Sequence, residues 1–139
     1  MERGPDTWLV MDYAPNGTLA THLAAAPRRR LALGAARLAA AEVAAGLLAL
    51  HGASVVHRDI KPGNILVDRQ GHCLVADLGL AASGKDHLRR LCGTLEYLAP
   101  EQLRGKRYGR GVDLWALGCL LFESLAGYET PASRETRLS

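Results

Sequence analysis

Cysteine, lysine and long apolar runs are all scarce in this chain. The three cysteines, Cys73, Cys92 and Cys119, form no CxxC pair and no metal-ligand spacing, and their number is odd. That argues against a disulfide framework and points to a reducing compartment, the cytoplasm or the nucleus. The longest apolar run, Leu114 to Phe122, is too short to cross a bilayer and is followed by Glu123. Met-Glu-Arg opens the chain without an apolar leader region. No membrane partner is expected. No internal repeat occurs, and the only compositional bias is towards alanine. The net charge of +3 is carried by Arg far more than by Lys. Its sign suits a phosphorylated partner, but an excess this small reads as solvated surface, and no nucleic-acid partner is expected.

The 139 residues are 48% hydrophobic and 22% charged, which suits one soluble domain or part of a larger one. Trp8-Leu9-Val10-Met11 reads as a short buried strand, closed by the turn signal Pro15-Asn16-Gly17. A helical turn over Thr18 to Leu23 follows, and Arg28 to Arg30 read as an exposed basic loop. Ala36, Ala40, Val43, Leu47 and Leu50 then recur at spacings of four and three, so a helix is expected, ending at Gly52. Ile65-Leu66-Val67 and Cys73-Leu74-Val75-Ala76 read as a hairpin around Asp68 to Gly71. Asp77 to Arg90 has little periodicity and reads as loop. Pro100 to Leu103 fits a helix start. Asp113 to Leu125 predicts a helix that is apolar nearly all round and so buried on most sides. Thr130 to Ser139 reads as a polar, fraying tail.

Residues 55 to 64, VVHRDIKPGN, run from an apolar pair into a dense polar cluster. Asp59 and Asn64 stand five apart, and the hairpin returns Asp77 beside them. Three oxygen-bearing side chains then converge with the cation Lys61. Hard oxygen ligands suit Mg²⁺, which takes the rest of its shell from phosphate and water. A carboxylate, a cation and two metal ligands are the parts that phosphoryl transfer requires. Taken singly, Asp59 and Asn64 are ordinary turn residues, Lys61 a solvated charge, and Met11 and Leu66 core residues of any fold. Only their joint occurrence in order outweighs those readings.

That order resembles the eukaryotic-type protein kinase domain. His57 to Asn64 looks like its catalytic loop, and Asp77-Leu78-Gly79 its magnesium triplet with Leu for Phe. Gly93 to Glu101 resembles the end of the activation segment. Asp113 to Gly118 matches the start of the central helix, and Met11-Asp12-Tyr13-Ala14 the hinge that holds adenine. The resemblance implies an α+β, mainly helical fold: a kinase-like lower lobe with a short β-hairpin by the catalytic loop. It would occupy residues 1–129, with 130–139 as tail. The implied activity is transfer of the γ-phosphate of ATP, with Mg²⁺, to Ser or Thr hydroxyls of a protein substrate. Asp59 would accept or orient the substrate hydroxyl, Lys61 would stabilise the moving phosphate, and Thr94 would bridge the two. Lys61 and Thr94 are marks of the serine/threonine branch. Asn64 and Asp77 would hold magnesium. Asp12 and Ala14 would meet adenine through their backbone, Met11 as gatekeeper and Leu66 beneath the ring. His57 and Leu78 would pack behind the site, and Asp113 would accept backbone N–H bonds of the catalytic loop.

The departures are equally specific. No glycine-rich phosphate loop precedes Met11, and the first lysine of the chain is Lys61. The family's upper-lobe lysine and its glutamate partner have no counterpart. A lower-lobe fragment is therefore expected, weak or inactive alone, whose upper surface suits a protein partner. The alternative is a non-catalytic kinase-like binding module or a degenerate fragment. The activating threonine of related kinases falls at Arg90, which cannot take phosphate. Of the acids that arginine-directed relatives carry, the positions of Thr18 and Gly63 lack theirs, and only Glu123 matches.

Overall fold

A computed structural model of the chain describes residues 10–83 and 88–127. Four helices carry the structure: α1 (Leu19–Ala25), α2 (Leu33–Gly52), α3 (Pro100–Leu103) and α4 (Gly111–Ala126). Four very short strands accompany them: β1 (Val55–Val56), β2 (Ile65–Val67), β3 (Cys73–Val75) and β4 (Ala82–Ser83). The class is α+β and mainly helical, as expected. β2 and β3 form the predicted antiparallel hairpin, Leu66 opposite Leu74, and β1 pairs with β4.

Alanine-rich sequence favours α2, and its buried line is Ala36, Ala39, Val43, Leu47 and His51. That line lies against α4 and β3. Its core neighbours are Leu19, Leu23, Ile60, Ile65 and Leu120. A smaller cluster of Val56, Ala99, Tyr108 and Val112 sits beside it. Glu42 ties α2 to the hairpin. It accepts from the Cys73 N–H at 2.8 Å and pairs with His72 Nδ1 at 2.6 Å. Burial and this carboxylate push the Cys73 thiol up to about 11. All three cysteines are free.

Helix ends follow local chemistry. Thr18 caps α1, its Oγ1 accepting from the Thr21 N–H at 3.2 Å. Gly127 ends α4 in the left-handed region at φ 70°. A Cβ there would lie 2.2 Å from the Arg28 carbonyl oxygen, so the close approach also demands glycine.

Several expectations are corrected. Val10 and Met11 lie in no strand and are 92% and 62% exposed, while Trp8 and Leu9 lie outside the described residues. No neighbouring strand among the described residues satisfies their backbone groups. Asp77 to Arg90 is not plain loop: it holds a 3-10 turn at Leu78–Leu80 and the strand β4. Helix α4 is not buried on most sides, since Leu114, Trp115 and Phe122 are about half exposed. Its apolar circumference exceeds what α2 and the loops can cover. Arg28 and Arg29 belong to a 3-10 turn, both at positive φ. Helix α2, and not the Leu114 run, is the segment long and apolar enough to cross a membrane by length and composition. The longest-run criterion missed it because Arg37 and Glu42 interrupt an otherwise apolar sequence. In this fold one line of it, from Ala36 to His51, is buried in the core, while Leu33, Leu38 and Leu48 are exposed.

Candidate active site

The segment after β1 turns sharply. Arg58 adopts φ 72°, a left-handed conformation that costs a non-glycine residue energy. The conformation is held from below. Asp113, at 1% exposure near the start of α4, accepts from the Arg58 N–H at 2.8 Å and the His57 N–H at 2.9 Å. His51 Nε2 completes its shell at 2.8 Å. A buried carboxylate with three donors is satisfied; an unpaired one would be costly.

Above this brace, three side chains converge on Asp59. Thr94 donates to Asp59 Oδ1 from its hydroxyl at 2.7 Å and from its N–H at 3.0 Å. Lys61 Nζ lies 3.0 Å from Asp59 Oδ2 and donates to Thr94 Oγ1 at 2.7 Å. Asn64 Nδ2 donates to Asp59 Oδ2 and to the Asp59 carbonyl, both at 2.8 Å. Burial alone would raise the Asp59 carboxyl. Hydrogen bonds from Thr94 and Lys61, the Lys61 charge and Asn64 outweigh it and hold the group below the ordinary carboxylate range. Asp59 is thus a carboxylate near neutral pH. A lowered pKa makes it a weaker base, which suits orienting a hydroxyl.

Gly93 allows Thr94 this approach. Its φ is 107°, and a Cβ would lie 2.5 Å from the Arg58 carbonyl oxygen. Asp77 comes beside the cluster through the hairpin. The Ala76 N–H donates to the Asn64 carbonyl at 2.9 Å, and His57 Nε2 meets the Ala76 carbonyl at 3.0 Å. Asp77 itself takes φ 63° and accepts from the Gly79 N–H at 3.1 Å.

The nucleotide-side residues are placed differently. A Thr18–Leu66 bridge and the Val67 N–H to Gly17 carbonyl bond fix the chain after Ala14 beside β2. Leu66 and Ala14 are half-buried, whereas Met11, Asp12 and Asp77 are exposed. Leu78 was expected to pack with His57. It is 53% exposed while His57 is fully buried, because no described residue covers it. The cavity at Asp59, Arg58 and Thr94 holds only about 10 Å³, room for no more than a water. A concavity of about 250 Å³ between α1, α2 and the hairpin includes none of these side chains.

The donor set can be tested against a metal. Asn64 spends its amide N–H groups on Asp59, leaving its oxygen, and Asp77 Oδ1 accepts from Gly79, leaving its other oxygen. No described group of three or more His, Cys, Asp or Glu could hold an ion unaided. Two oxygens without a cage fit Mg²⁺ that arrives with phosphate and water. His51 and Tyr108 were missed from sequence. His51 follows Val43 and Leu47 at intervals of four, so the buried line of α2 was a usable signal. Nothing in the sequence marked Tyr108.

Asp59, Lys61, Thr94 and Asn64 thus form one hydrogen-bonded group on a braced loop. The chain belongs to the protein kinase domain family, whose model matches residues 1–138. Among similar proteins are serine/threonine kinases. It is 44% identical over 121 residues to the cAMP-dependent protein kinase catalytic subunit of Dictyostelium discoideum, covering 87% of this chain and 18% of that one. It is 44% identical over 121 residues to the mouse (Mus musculus) cAMP-dependent protein kinase catalytic subunit PRKX, covering 87% and 34%. It is 46% identical over 123 residues to the human (Homo sapiens) serine/threonine-protein kinase Sgk2, covering 86% and 33%. The chain therefore spans about a third or less of the length of these relatives.

Proposed function

We propose that this chain carries the phosphotransfer half of a serine/threonine protein kinase, acting on Ser or Thr hydroxyls of a protein substrate. The observation that carries the reading is the closed Asp59–Thr94–Lys61 triangle, with Asn64 sharing Asp59 Oδ2 with Lys61. Asp59 would orient the substrate hydroxyl and take its proton as the phosphoryl bond forms. Lys61 would move its charge from Asp59 towards the transferred group. Thr94 would keep both in register. Asn64 and Asp77 would hold Mg²⁺ by the oxygens noted above, and Leu66 with the Met11 to Ala14 backbone would flank adenine. Bound Mg·ATP supplies the electrophilic phosphoryl group and the positive charge that neutralises it.

The test has two arms. Thermal shift with ATP, with and without Mg²⁺, reads binding; phosphotransfer to a mixed Ser/Thr peptide library reads chemistry. Mg²⁺-dependent stabilisation, together with transfer that Asp59→Asn lowers by about 10²- to 10⁴-fold, is expected. Nucleotide binding without Asp59-dependent transfer would instead favour a kinase-like binding module. Low absolute turnover is expected of the chain alone, because Met11, Asp12 and Asp77 lie on an open face.

A further inference from the structure

Residues 88 to 112 concentrate positive charge in a way the whole chain does not. Arg89, Arg90, Arg104, Lys106, Arg107 and Arg110 face two acids there, Glu96 and Glu101. The fold then brings two stretches of this segment together. Leu88 and Tyr108 form an antiparallel bridge, N–H to carbonyl in both directions at 3.2 and 2.9 Å. The Tyr108 hydroxyl donates to the Arg90 carbonyl and lies 3.4 Å from Arg58 Nη1. From that single bridge Arg89 and Arg90 lead away on one stretch and Arg107 and Lys106 on the other, in antiparallel sense. All six cations are exposed, and none forms an ion pair with another described residue. Like charges set side by side repel, and at physiological salt they act together over about 8 Å. An anion on this face relieves that repulsion.

The patch leads directly to the reactive centre. Arg90 is followed by Leu91, Cys92 and Gly93, then by Thr94, whose hydroxyl rests on Asp59. An extended peptide advances about 3.3 Å per residue, so a chain seated on the patch reaches Asp59 within a few residues. Carboxylates that could favour a basic peptide are few: the positions of Thr18 and Gly63 carry none, and Glu123 accepts from the Tyr97 hydroxyl. Resting on the kinase reading above, we propose that this patch selects protein substrates whose Ser or Thr is flanked by Asp or Glu.

Direct binding tests this without needing turnover. Two labelled peptides of equal length, one Ser flanked by Glu and one Ser flanked by Arg, are titrated with the 139-residue chain by fluorescence anisotropy. The acidic peptide should bind at least about tenfold more tightly, a gap of ~1.4 kcal/mol. Raising NaCl from about 50 to about 300 mM should erode the gap by screening. Arg89→Glu with Arg90→Glu should abolish the preference, and the milder Arg89→Gln with Arg90→Gln should weaken it. Arg37→Glu with Arg69→Glu changes net charge equally on exposed residues elsewhere and should leave it intact. Equal loss in that control pair, no preference for the acidic peptide, or displacement by an oligonucleotide of equal charge at lower concentration would each overturn the proposal. Thermal shift with Mg·ATP on the same samples separates the two readings. A nucleotide shift without acidic preference removes the patch alone. Acidic preference without a nucleotide shift keeps the patch and removes the catalytic reading.

Discussion

The two faces of the candidate site differ in how completely this chain builds them. Around Asp59, almost every polar atom has a partner within the chain, and the loop is braced from below by Asp113. Around Met11, Asp12, Asp77 and Leu78, side chains are exposed and few contacts hold them. The contrast teaches that the Asp59 cluster is a product of local sequence and two helices. The face carrying Met11, Asp12, Asp77 and Leu78 has little cover among the described residues. Stability and chemistry should therefore respond to different substitutions, and the following outcomes sharpen or break that division.

The largest effect should come from Asp113→Ala. It strands the His57 and Arg58 N–H groups and His51, all against a buried position. A loss of about 3 kcal/mol or more is expected by chemical denaturation, because each orphaned donor costs about 1–3 kcal/mol. A loss below ~1 kcal/mol would mean the catalytic loop does not depend on its brace. Gly93→Ala should follow at about 2 kcal/mol, since both its φ and the Arg58 carbonyl oppose a Cβ. It should also pull Thr94 from Asp59, seen as an upward move of the Asp59 titration by NMR.

Tyr108→Phe should cost about 1 kcal/mol, the value of a part-buried hydroxyl hydrogen bond. The telling measurement is hydrogen exchange at residues 88–94, which should quicken because the hydroxyl holds the Arg90 carbonyl. Unchanged exchange there would show that the Leu88–Tyr108 backbone bridge alone fixes the segment.

The smallest effects concern pH and should run in opposite directions at the two sites. The hydrogen bond and charge of Glu42, with Asp68, raise the His72 pKa above its ordinary 6.5. Its contribution is complete below pH 6.5 and fades as pH rises through the higher folded value. Asp59 is lowered, so its contribution is present above the ordinary carboxylate range and is lost on acidification through the folded value. Stability curves of His72→Ala and Asp59→Asn, each against the parent, should converge at the alkaline and acidic ends respectively, the His72 gap opening below pH 6.5 and the Asp59 gap above the ordinary carboxylate range.

Much of this was legible in the primary structure. The spacing of Ala36, Val43 and Leu47 gave the line by which α2 meets α4, and Asp68 to Gly71 gave the hairpin. Asp59, Lys61, Thr94 and Asp113 were chosen by resemblance, and the fold brings the first three into one hydrogen-bonded group over the fourth. Less legible were the exposures. Leu78 and the apolar circle of α4 look like core in sequence, because periodicity reports which residues could be buried and not what covers them. The β1–β4 pair escaped notice because two-residue strands leave no period to read.

Sequence alone determined the elements with short-range causes: an alanine-rich helix, a Thr-capped turn, a hairpin, and a loop carrying charges in a fixed order. Tertiary structure alone decided which charges meet. Thr94 lies 35 residues from Asp59, and Asp113 lies 55 from Arg58, yet each is within 3 Å of its partner. Tyr108 joins the stretch of Arg89 and Arg90 to that of Lys106 and Arg107 by a bridge to Leu88 spanning twenty residues. Such pairings depend on the buried contact of α2 with α4 and on the backbone hydrogen bonds between remote segments. The period of a helix or strand carries no record of either.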